Sequence, residues 1–123
     1  MSHKLPNYVR TYRRRAGLSQ NEMAFLLGCQ SGSKVSRYER FQRQPTLDTA
    51  FAYEALFGAP AREIFGGVYE RSLNAIQERA RLLVDTLKQA NPNRKTSRKL
   101  ELLGALSSSS HTSQPFTYEG SIT

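Results

Sequence analysis

The sequence predicts an all-α protein: a compact five-helix domain followed by a long C-terminal helix and a basic, partly disordered tail. Three observations carry this reading. Apolar residues recur at spacings of three and four rather than two. Ser or Thr at helix starts and glycine at helix stops punctuate the first half of the chain at short intervals. Little in the chain alternates apolar and polar residues as a half-buried strand would.

The first helix is expected from about Pro6 to Ala16, because proline suits a first helical turn and Leu5, Val9, Tyr12 and Ala16 make one stripe. Gly17 stops it. The second opens at Ser19, with Glu22 three residues on in capping-box spacing. Met23, Ala24 and Leu27 form its inner face, and Gly28 ends it. A third helix starts near Ser31 or Gly32. Val35 and Tyr38 turn inward, which leaves Ser33, Lys34, Ser36 and Arg37 outside. After the loop from Phe41 to Pro45, Thr46 caps a fourth helix from Leu47 to Phe57, and Gly58 closes it. A short turn from Arg62 to Phe65 completes the domain, residues 1–66.

Gly66 and Gly67 read as a hinge. From Val68 to Ala90 the pattern is helical without interruption: Tyr69, Leu73, Ile76, Ala80, Leu83, Leu87 and Ala90 alternate by four and three. That period of 3.5 suits a helix pairing with a second copy, so residues 67–91 are expected to dimerise. The alternative is a helix packed within its own chain. Asn91-Pro92-Asn93 breaks the pattern. Residues 92–123 then give a helix with the basic patch Arg94, Lys95, Arg98 and Lys99, and a flexible Ser/Thr-rich tail from Ser107.

Composition narrows the function. Lys plus Arg number 18 against 10 Asp plus Glu, a net charge of +8 that calls for a polyanionic partner. No apolar run approaches a membrane span, and no lipidation or signal pattern opens the chain. Cys29 is the single cysteine, and His3 and His111 lie far from it, so no metal site, disulfide or Cys/His pair is expected. The folded half carries no paired carboxylates at useful spacing, no phosphate-cradling loop and no triad, so neither enzymatic activity nor a cofactor is expected. The tyrosines sit at helical spacings that suit a core better than a single-strand stacking platform.

Two short helices joined by a glycine turn can place the second in a DNA major groove. Leu18–Ala24 (LSQNEMA), Gly28, Val35–Arg40 (VSRYER), Pro45-Thr46-Leu47 and Gly58 resemble the phage-repressor/Cro-type (XRE-like) helix-turn-helix family, with a lambda-repressor-like fold over Leu5 to Phe65. The resemblance implies that Gln20, Arg40 and Arg43 bind DNA phosphates. It implies that Gly32, Ser33, Lys34, Ser36 and Arg37 face base edges, Lys34 reaching either a base or a phosphate. Arg13 and Glu39 match an ion pair bridging the first and third helices. The sequence departs from the family in a Gly28–Val35 segment one residue longer, in Gly32 where a base-reading side chain is common, in Phe41 where glycine is common, and in Glu54 at a small core position.

The resemblance implies a homodimeric, cytoplasmic transcriptional repressor of bacterial or phage origin that binds double-stranded DNA at an inverted repeat. The other reading is an antitoxin-like protein whose C-terminal segment binds a protein partner; the basic tail speaks mildly against it.

Overall fold

The computed structural model describes residues 4–107, which form seven helices and no strand. The Ser/Thr-rich tail, with His111, lies outside the described residues from position 108 onward; Ser107 itself ends a helix. The described chain divides into two compact units between Tyr69 and Glu70.

The first unit contains α1 (Val9–Arg15), α2 (Gln20–Leu27), α3 (Gly32–Glu39), α4 (Leu47–Phe57) and α5 (Ala61–Ile64). Tyr53, Met23, Ile64, Val9 and Val35 are its largest fully buried side chains. Tyr53 stacks on Phe57, with ring centroids 6.2 Å apart, and meets Tyr38 and Phe65 edge-on. Tyr38 and Tyr53 are thus core residues, while Tyr12 is half-buried and donates its hydroxyl to Glu63 Oε1 at 2.9 Å.

α1 is shorter than its apolar stripe suggests. Pro6 and Asn7 lie before it, because the backbone there is committed elsewhere. The Tyr8 N–H donates to the Ile64 carbonyl at 2.7 Å. Asn7 is buried and bridges two elements: its amide donates to the Tyr38 carbonyl at 3.1 Å, and its Oδ1 accepts the Val9 N–H at 3.2 Å. Leu5 and Ala16, the ends of the expected stripe, are exposed.

Gly66 and Gly67 are not a hinge. Both belong to the first turn of α6 (Gly66–Lys88). The Gly67 N–H donates to the Leu5 carbonyl at 2.9 Å, and a Cβ at Gly67 would stand 2.3 Å from that oxygen. The missing side chain serves close backbone crossing, not mobility.

Glu54 is also explained by the fold. Its Oε1 accepts the Ala61 N–H at 2.7 Å, so it caps α5 from α4 while only half-buried.

In the second unit α6 continues to Lys88, and α7 (Arg94–Ser107) folds back after residues 89–93. Gln77 Nε2 donates to the Leu106 carbonyl at 3.0 Å, which sets the antiparallel register of the pair. Asn93 caps α7, its Oδ1 accepting the Thr96 N–H at 2.8 Å. Of the expected dimer stripe, Leu73, Ala80 and Leu87 are buried within this one chain. Tyr69, Ile76 and Leu83, spaced seven apart, remain open, Ile76 at 51% and Leu83 at 47%. The stripe is therefore two columns in different environments, where its spacing alone suggested one seam.

Candidate nucleic-acid interface

The site begins with the junction of α2 and α3. Ser19 caps α2 by accepting the Glu22 N–H at 3.0 Å, and Glu22 returns a bond to the Ser19 N–H at 2.8 Å. Gly28 ends α2 in the left-handed region, φ 77°. Ser31 then caps α3. Cys29 and Gln30 lie between Gly28 and this cap, and Ser31 itself has extended backbone.

Gly32 makes the junction tight. It is buried against α2, and its N–H donates to Asn21 Oδ1 at 3.0 Å. An added Cβ would lie 2.7 Å from that oxygen and 3.2 Å from Gln20 Cβ. Gly32 has no side chain to offer a base and provides close helix packing, while its backbone lines the same cleft as Ser33 and Ser36. Asn21 was not singled out in the sequence. A short amide on the first turn of α2, opposite a glycine on α3, was the available signal.

Beneath α3, Arg13 and Glu39 form a bidentate pair, Nε to Oε2 at 2.5 Å and Nη2 to Oε1 at 3.0 Å. Their side chains are 12% and 3% exposed. Arg13 also donates Nη1 to the Leu18 carbonyl at 2.7 Å, tying in the turn before α2. The hydrogen bond to Glu39 raises the Arg13 pKa, so the guanidinium stays charged. Gln20 completes the network: its Nε2 donates to Glu39 Oε1 at 3.2 Å. One N–H of this amide is therefore engaged inside the protein, and the second hydrogen remains a donor.

Val35 and Tyr38 anchor α3 in the core at 0% and 2% exposure. On the opposite arc, Ser33 and Arg37 are exposed, and Lys34 and Ser36 are partly so. Ser33 and Arg37 are one turn apart, flanked by Ser36 and Lys34. Gln20, Asn21, Ser31, Gly32, Ser33 and Ser36 line a shallow polar cleft together with Arg13. Arg40 ends α3, and Arg43 lies in the following loop; both are exposed.

α3 closes with a Schellman pattern. The Phe41 N–H donates to the Tyr38 carbonyl at 3.1 Å, and the Gln42 N–H to the Arg37 carbonyl at 2.9 Å. This requires a left-handed residue, and Phe41 adopts φ 62°. The helix ends as it would with the glycine common in the family, but on an aromatic residue.

Among the described residues no group of three or more His, Cys, Asp and Glu is placed to hold a metal ion, and no helix is long and apolar enough to cross a membrane. What the geometry defines is a helix-turn-helix: a capped first helix, a glycine turn, and a second helix with an apolar back and a donor-rich front. Residues 6–64 match the family model described as a helix-turn-helix domain. No curated protein and no solved structure gives a significant match.

Proposed function

We propose that this chain is a sequence-specific regulator of transcription that binds double-stranded DNA through α3, a dimeric repressor acting at an inverted-repeat operator. The presentation of α3 carries the reading. Val35, Tyr38 and the Arg13–Glu39–Gln20 network fix its back, so its front offers guanidinium, ammonium and hydroxyl groups on a rigid helix. A major groove about 12 Å wide admits such a helix.

Arg37 reads a base, since its fork can bond guanine O6 and N7 together. Ser33, Lys34 and Ser36 border it. Gln20, Arg40 and Arg43 bind phosphate, Gln20 through its remaining amide hydrogen. The open column Ile76–Leu83 on α6 supplies the contact with a second copy. A twofold dimer then presents two copies of α3 to successive grooves about 34 Å apart, and repression follows from occlusion.

The test is selection of bound fragments from random duplexes, then gel shifts on the selected and a scrambled site. Arg37→Ala should lose about 1–3 kcal/mol on the selected site and little on the scrambled one. Arg43→Ala should weaken both alike. Equal losses on both sites for Arg37→Ala would refute the assignment.

A further inference from the structure

The basic patch of α7 has no role in the unit that carries the helix-turn-helix, and its surroundings are unusual for a surface patch. Arg94, Lys95, Arg98 and Lys99 are all exposed on the first two turns of the helix. Arg94 and Arg98 are four residues apart, as are Lys95 and Lys99, so the cluster is two like-charge i,i+4 pairs, each unfavourable to the helix. Arg94 and Lys95 also occupy the first turn, where the helix dipole repels cations. α2 and α4 place Glu22 and Asp48 there; α7 has no acid in its first turn. Neither the Arg13–Glu39 nor the Glu78–Arg81 ion pair involves the cluster.

The cluster is also held in place. Asn93 caps its turn, Thr96 between its two halves is buried, and the Gln77–Leu106 bond secures the far end of α7 to α6. A solvated face normally intersperses acids with its bases. Four cations on two turns, with Glu101 the single acid of α7 and no ion pair formed to it among the described residues, stand at the wrong end of a helix dipole, an arrangement unfavourable alone and relieved by a polyanion.

We infer that Arg94, Lys95, Arg98 and Lys99 form a second polyanion-binding surface whose ligand is the phosphate backbone of duplex DNA. The choice of duplex rests on the reading of α3 above. The surface contributes affinity without sequence preference, because lysine and arginine at phosphates displace counterions whatever the bases.

The test uses the full chain and its R94Q/K95Q/R98Q/K99Q variant, with a labelled random-sequence duplex titrated between about 50 and 200 mM salt. Each phosphate contact adds about 0.9 to the slope of log affinity against log salt. The variant slope should be shallower by about 2–4, so that the wild-type chain loses roughly 16- to 250-fold more affinity across that range. Arg37→Ala should change the slope by about 1 at most. The melting temperature of the quadruple variant should hold or rise as the repulsion is removed. Superposable slopes, with a preferred duplex still selected by the wild-type chain, would overturn the cluster's role and leave α3 untouched. Absence of wild-type binding to any duplex would overturn both. Capture of wild type but not variant by phosphatidylserine vesicles, with unchanged DNA slopes, would assign the cluster to a membrane surface and refute the proposal.

Discussion

Two buried polar groups in the first unit meet opposite fates. Glu39 lies between α1, α2 and α3 and accepts three side-chain hydrogen bonds, two from Arg13 and one from Gln20. The Tyr53 hydroxyl is buried a short way off and finds no hydrogen-bonding partner among the described residues. The saturated group sits where α3 must hold its angle against the first two helices; the orphaned one lies within the aromatic packing. Desolvation is tolerated in both places, but only at Glu39 does it yield directional contacts that set the position of α3. A buried ion pair of this kind need not stabilise more than an apolar replacement; what it adds is geometry.

The largest test breaks the saturated side. Glu39→Ala leaves Arg13 and Gln20 without their acceptor beneath α3 and should lower unfolding free energy by about 3–5 kcal/mol. Denaturant unfolding measures it. A double replacement, Arg13→Met with Glu39→Leu, should recover much of that loss yet bind duplex less selectively, because the pair's directional hold on α3 is gone. If the double variant stayed as unstable as Glu39→Ala, the loss would not stem from the unpaired charge.

Much of this region was legible in the residues themselves. Ser19 with Glu22, Gly28, and Val35 with Tyr38 lie close in sequence, and local pattern finds local structure. The Arg13–Glu39 pair spans 26 residues and came only from resemblance to a family. Asn7 and Asn21 are hard to read for a related reason: each amide satisfies a backbone group on a distant helix or next to its own, which nothing local marks for Asn7 and only the glycine on α3 hints at for Asn21. Gly66-Gly67 misled because two glycines signal either freedom or close approach, and only the Leu5 carbonyl lying against Gly67 distinguishes them. The α6 stripe misled because a heptad pattern reports that a face is apolar, not what covers it.

A smaller effect sharpens the orphaned side. Tyr53→Phe removes a desolvated hydroxyl without changing the ring packing, and should raise unfolding free energy by about 1–3 kcal/mol. Burial, helped by the charge of Glu39, raises the Tyr53 pKa above its ordinary value near 10. A raised folded-state pKa means the fold prefers the neutral phenol. The associated stability is fully present below about pH 10 and declines as pH climbs toward the folded-state value, by up to about 1.4 kcal/mol per pH unit. Thermal melts between pH 9 and 11 should show this alkaline loss in the wild-type chain and a shallower one in Tyr53→Phe. Identical alkaline profiles would place the loss on another group.

The smallest effect concerns the ends of the two helices that this network joins. α2 and α3 both stop on a left-handed residue, Gly28 at φ 77° and Phe41 at φ 62°. Glycine adopts that conformation freely, whereas a residue with a Cβ carries about 1–2 kcal/mol of strain. A direct Phe41→Gly change would mix relief of strain with loss of a half-exposed ring. Comparing Phe41→Gly with Phe41→Ala removes the ring from both, so their difference reads the backbone alone. The glycine variant should be the more stable of the two by about 1 kcal/mol, and Gly28→Ala should lose a similar amount at the other helix end. If glycine and alanine at position 41 were equally stable, the end of α3 would not be strained. The aromatic residue there would then need no compensating benefit beside Arg40 and Arg43, which are proposed to bind phosphate.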